Sequence, residues 1–186
     1  GVNKVTMRYM RLIDVLDGAK LTLNSGKLHL ELNSDADANN ATIESEGTVE
    51  INGGTVAISC PDGWDERVHY VNELDCALHS SGKTVIKDGT FDGRVLLKAV
   101  AKASGVADNV ITGGDFKKAI YIQKDKNVTG DVPLNVSIQG GTYHYTPGYH
   151  MDDGVKESDP LDNFQFATYG FTKGNTDYTY YPRVDG

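Results

Sequence analysis

The residues best equipped for chemistry gather in one stretch of this 186-residue chain, PDGWDERVHYVNELD, Pro61 to Asp75. It holds the only tryptophan, Trp64, together with Tyr70, Asp62, Asp65, Glu66 and Arg67. An indole or phenol ring offers a flat face that stacks on a sugar, and neighbouring carboxylates and a guanidinium supply the directed hydrogen bonds that hold hydroxyls. The plainer reading is that Trp64 folds back over the outside of a sheet. Cys60 and Cys76, the only two cysteines, bracket the stretch. A bond between them closes a ring of about 15 residues, contributes about 3 kcal/mol in the chain-entropy account and implies an oxidising compartment. The competing expectation is two reduced, buried residues on neighbouring layers.

A second group suggests a cation. In NSDADANN, Asn33 to Asn40, the residues Asp35, Asp37 and Asn39 have D-x-D-x-N spacing, and Glu46 is the twelfth position counted from Asp35. Calcium loops place oxygen ligands this way. The sixth position is Asn40 where such loops need glycine, and Thr42 to Glu50 already reads as strand. A polar turn is therefore the competing reading, and calcium is the only cofactor the sequence suggests. His144, His150, Asp152 and Asp153 form a further local group of ligand types, for which a solvated loop is the alternative.

Evidence for catalysis is thin. General acid–base chemistry needs acids held at a set distance, and here the acids sit mainly in loops. Outside the Pro61 stretch, Arg94 is the only arginine between Gly47 and Tyr143. No nucleophile elbow, phosphate loop or zinc spacing occurs.

The elements that must position these groups are written as a repeat. ATIESEGTVEINGGT, Ala41 to Thr55, and CALHSSGKTVIKDGT, Cys76 to Thr90, align without a gap. Related segments begin at Ile13, Ala99 and Val132, and the glycines that close them are Gly26, Gly54, Gly89, Gly114 and Gly141, 25 to 35 residues apart. A period of that size marks a solenoid. The apolar residues alternate in short Val-, Ile- and Thr-rich runs, such as Val49/Ile51 and Val56/Ile58, which is strand patterning. The Asn52-Gly53-Gly54 corner needs a positive φ, which glycine supplies. The sequence thus predicts an all-β, single-stranded parallel β-helix of about five coils over residues 1–145. Its inward ladder runs through Val49/Ile51, Val85 or Ile86, and Val136/Ile138. Residues 146–186 form an aromatic-rich C-terminal cap or docking segment, since ten of the 16 aromatic residues lie from Tyr143 onward and solenoid ends need covering.

The rung pattern A-hydrophobic-x-S-x-G…I-x-G-G-T, with His79-Ser80-Ser81-Gly82 and Asp88-Gly89-Thr90-Phe91, resembles right-handed parallel β-helix (pectin-lyase-like) proteins of bacterial cell surfaces and bacteriophage virions. One similar bacterial family is described as carbohydrate-binding. The resemblance covers residues 13 to about 143. It implies an extracellular location and one of three roles. The first is a noncatalytic glycan-binding or adhesive module. The second is a virion structural protein, such as a capsid decoration or tail-fibre segment. The third is a polysaccharide lyase or hydrolase.

Composition narrows the partners. The net charge of −8 argues against nucleic acid, whose phosphates call for Lys and Arg, and against an anionic membrane surface. No apolar run approaches the roughly 20 residues that span a bilayer. We expect a glycan or a neighbouring subunit as partner, with a homo-oligomer the form that favours the virion role. Because the chain starts at Gly1, we read it as an excised domain or processed product.

Overall fold

A computed structural model describes residues 10–32, 40–59, 75–101, 108–118, 120–125, 127 and 134–143. It also gives the backbone pairing of strands at 148–150, 169–173 and 176–180. Each repeat makes three short strands. The first coil is β1 (Arg11–Val15), β2 (Lys20–Leu23) and β3 (Lys27–Glu31), and the second is β4 (Ala41–Ser45), β5 (Thr48–Ile51) and β6 (Thr55–Ser59). The third is β7 (Cys76–Ser80), β8 (Lys83–Ile86) and β9 (Thr90–Asp92), and the fourth is β10 (Arg94–Ala99), β11 (Asn109–Ile111) and β12 (Asp115–Phe116). The fifth is β13 (Ile120–Lys124), β14 (Val136–Ile138) and β15 (Thr142–Tyr143), followed by β16 (Gly148–His150), β17 (Tyr169–Lys173) and β18 (Thr176–Tyr180).

Every strand from β1 to β13 pairs in parallel with the strand three elements later. Three parallel sheets result. The first is β1-β4-β7-β10-β13-β16, the second β2-β5-β8-β11-β14, and the third β3-β6-β9-β12-β15. No helix occurs among the described residues. Antiparallel hairpins at Gly53-Gly54 and Asp88-Gly89 would have contradicted the solenoid reading; the strands flanking those corners instead belong to different sheets. Among the described residues the one antiparallel strand pair is β17–β18.

The cause is the alternation in the sequence. Each strand sends every second side chain inward, and stacking places equivalent residues in register about 4.8 Å apart. The second sheet contributes Leu23, Ile51, Ile86, Ile111 and Ile138, the first Ile13, Ile43, Leu78, Val95 and Ile120, the third Leu28, Val56, Phe91, Phe116 and Tyr143. Residues from all three sheets meet in one core. In the third coil it is Ile86 that is buried, and Val85 faces outward. Phe91, Phe116 and Tyr143 form a continuous ring stack, with centroids 5.0 Å apart in both steps. Rung spacing favours this near-parallel stacking over edge-on contact.

One ladder is not uniformly apolar. Leu21 and Val49 are followed by Thr84 and Asn109 before Val136 restores the pattern. Both polar residues are fully buried. Thr84 Oγ1 donates to Ser80 Oγ at 2.8 Å, and Asn109 Nδ2 reaches the Lys98 carbonyl at 3.5 Å. Such partners offset the cost of burying a hydroxyl or amide, though Asn109 Oδ1 is left without one among the described residues.

On the outer face of the second sheet Glu50 sits between two lysines, 2.7 Å from Lys20 Nζ and 2.6 Å from Lys87 Nζ. The hydrogen bond from Lys20, then that from Lys87, hold its carboxyl down at about 2, from an ordinary value of 4.5. Because the folded value is depressed, the stabilisation is complete above pH 4.5 and is lost as pH falls through about 2. Glu50→Gln is therefore expected to lower stability at neutral pH by a small, salt-screened amount. The gap to the parent protein should shrink between pH 4.5 and 2 in denaturant titrations at stepped pH. A gap that stays constant across that range would rule out the ion pairs as its source.

Candidate functional site

A groove runs along the corner between the second and third sheets. Five glycines form that corner, one per coil, all at positive φ: Gly26 (92°), Gly54 (90°), Gly89 (116°), Gly114 (112°) and Gly141 (117°). The residue after each spine glycine ties one coil to the last. Thr55, Thr90 and Asp115 donate their N–H to the carbonyls of Gly26, Gly54 and Gly89 at 2.8 Å, and Thr142 donates to Gly114 at 2.7 Å. A Cβ on Gly54 would lie 2.7 Å from the Gly26 oxygen, and one on Gly141 would lie 3.0 Å from the Gly114 oxygen. The winding therefore needs bare backbone here, and bare backbone leaves the floor of the groove without side chains.

The walls come from the residues beside the spine. Strand alternation sends Phe91, Phe116 and Tyr143 into the core, so their predecessors Thr90, Asp115 and Thr142 face out. Asp88 closes the third coil's share. The open groove so formed has a volume of about 560 Å³, and no lysine, arginine or aromatic residue lines it. Asp88 Oδ1 accepts the Gly89 N–H at 2.8 Å, and Asp115 pairs with Lys117 Nζ at 2.5 Å. Hydroxyls that donate and accept, carboxylates that accept and a floor of peptide groups make a surface suited to polyhydroxylated ligands.

Comparison with protein-family profiles, curated proteins and solved structures finds no match.

Most of the sequence-predicted site lies outside the described residues: Asp62, Trp64, Asp65, Glu66, Arg67 and Tyr70, Cys60 of the expected bond, and Asp35, Asp37 and Asn39 of the calcium spacing. The same holds for His144, Asp152 and Asp153, and for the side chain of His150. Glu46 is an exposed corner residue between β4 and β5, its N–H bonded to the Val15 carbonyl at 2.9 Å. Cys76 opens β7, buried between Ala41 and Arg94 of the flanking strands. Burial pushes its thiol well above the usual range.

The base of the Trp64 excursion is firmly built. Buried Asp75 accepts both the backbone and the side-chain N–H of Asn40 on one oxygen, each at 2.8 Å. Both this excursion and the one at 33–39 leave the ends of third-sheet strands, after β6 and β3. The glycine groove lies at the starts of those strands. Thr55 and Ser59 are four residues apart, so the groove and the point where the Pro61 excursion leaves β6 are separated by roughly 13 Å along the strand. The outer face of the first sheet holds a third group: Glu44 Oε2 lies 3.1 Å from His79 Nδ1 and 3.8 Å from Arg11 Nε. With the Arg11 guanidinium beside this carboxylate and His79 within hydrogen-bond reach, the cluster reads as structural pairing on the sheet face.

Sequence reasoning assigned no binding role to Thr90, Asp115 or Thr142. Their signal was present: a hydroxyl or carboxylate follows four spine glycines in succession, from Thr55 through Thr142.

Proposed function

We propose that this chain is a noncatalytic, extracellular module that holds glycan on a right-handed β-helix of the pectin-lyase-like kind. The hand follows from a general rule, since about 98% of parallel crossovers within a sheet are right-handed. The observation that carries the functional reading is the polar groove, with Thr90, Asp115 and Thr142 presented on successive coils over a glycine floor. Rigid strands present these groups in register, which lowers the ordering cost of binding. The Trp64 stretch, which follows β6 in sequence, is the second contact surface of the proposal.

The test is retention of labelled oligosaccharides by the whole chain, with analysis of what is released. The expected result is reversible retention of intact ligand. Release of shortened or unsaturated sugar would replace this reading with the lyase or hydrolase one. Absence of retention across neutral and acidic sugars would leave a structural role, such as a virion component.

A further inference from the structure

Asp88 breaks the rule that builds the corner. The position before the spine glycine is Ser25, Gly53, Gly113 and Gly140 in the other four coils. Those residues are small for a reason: a Cβ on Gly113 or Gly140 would fall 2.2 or 2.4 Å from a carbonyl oxygen of the preceding coil. Only the third coil places a carboxylate there. Winding does not require it, and Asp88 is exposed at the groove wall. Asp115 adds a second carboxylate one coil on, where Thr90 and Thr142 flank it in the ladder. The lining offers no ring, and Asp115 is already paired with the Lys117 ammonium beside it.

Resting on the glycan reading above, we infer that the groove takes an uncharged, hydroxyl-rich glycan chain laid along the winding axis, and that Asp88 selects against acidic sugars. The direction follows from the lining. Gly54, Gly89, Gly114 and Gly141 come one from each of four successive coils, so the groove runs across the coils for roughly 14 Å, three intervals of about 4.8 Å. That length suits a short oligosaccharide and exceeds a single sugar ring. Selection follows from charge. Sugar hydroxyls donate to the two carboxylates and exchange hydrogen bonds with the threonines. A uronic acid or sulfated sugar would instead bring like charge against Asp88 on a chain that already carries −8, whereas Asp115 is already paired with Lys117. With no ring to stack on, recognition depends on hydroxyl hydrogen bonds, so it grows with the number of coils contacted.

The test compares neutral linear oligosaccharides, the matching monosaccharides and uronic acid oligosaccharides of equal length, binding to the full chain at low salt, with and without calcium. The inference expects at least tenfold tighter binding of neutral than acidic oligosaccharides, and tighter binding of oligosaccharide than monosaccharide. Asp88→Lys should cut the neutral-over-acidic preference several-fold, and added salt should narrow the preference of the parent protein, because screening weakens the repulsion. The lysine is tolerable to the fold, since Asp88 already carries a Cβ at this corner and its side chain is exposed. The thermal midpoint of the variant checks this. Equal or tighter binding of the acidic sugars, with or without calcium, overturns the inference while leaving the glycan reading intact. Failure of every sugar to bind overturns both.

Discussion

Ile51→Asp is expected to leave the chain unfolded at room temperature. Ile51 is fully buried at the middle of the second-sheet ladder, between Leu23 below and Ile86 above. The substitution removes about 1.5–3 kcal/mol of apolar burial. It also puts an unpaired carboxylate into the core, at an effective cost of several kcal/mol more. Whole domains are stable by only about 5–15 kcal/mol. The informative control is Val85→Asp, which places the same charge on the outer face of the next coil. Far-UV circular dichroism and a urea titration should show a folded Val85→Asp protein and no cooperative transition for Ile51→Asp. Similar behaviour of the two would mean that the inward and outward faces have been assigned wrongly.

Phe116→Ala should be the most damaging truncation in the third sheet. Phe116 is fully buried, with Phe91 and Tyr143 stacked on its two faces. Removing the ring opens a cavity bounded by two other rings whose backbone rungs fix their spacing, so collapse is limited. A loss of about 3–5 kcal/mol is expected. In a stacked architecture stability is close to a sum of coil terms and neighbour terms, and this ring contributes to two neighbour terms at once. Denaturant unfolding should show a lower midpoint, with the slope kept if the transition remains two-state. A loss below about 1 kcal/mol would contradict the continuous stack, since that is less than deletion of a single buried methylene typically costs when cavity formation is included.

The architecture was legible because solenoid information is local and repeated. The spacing of Gly26, Gly54, Gly89, Gly114 and Gly141 set the period, and the alternation at Val49/Ile51 set which face turns inward. The choice between Val85 and Ile86 could not be made from a four-residue run in which both are β-branched and apolar. Register with Ile51 and Ile111 decides it in favour of Ile86. Buried Thr84 and Asn109 went unseen for a related reason: the partner of Thr84 is Ser80, across a corner, and alternation alone assigns polar residues to the outside. Two acceptor sites for N-linked glycan by sequence, Asn40-Ala41-Thr42 and Asn135-Val136-Ser137, prove to start on buried asparagines, 1% and 5% exposed. These sites are closed in the folded chain.

The groove was harder to read. Thr90, Asp115 and Thr142 are 25 to 27 residues apart, and they become neighbours only when the coils stack in register. The oddity of Asp88 emerges only once the five corners are superposed by structure, because only then is a small residue seen to be the rule. Trp64 drew attention for a different reason. It is chemically conspicuous on its own, and an inserted loop on a rigid scaffold is where binding commonly resides.

These two surfaces can be separated by one comparison: the affinity of a retained oligosaccharide for the parent chain, for Thr90→Val with Thr142→Val, and for Trp64→Ala. Valine keeps the β-branched shape that the strands favour and deletes only the hydroxyls. The account predicts roughly tenfold weaker binding for the double threonine variant, equivalent to about 1.4 kcal/mol, with its thermal midpoint nearly unchanged. Unaltered affinity in that variant, with binding lost in Trp64→Ala, would contradict the groove as the principal contact and move the site to the loop between Pro61 and Asp75.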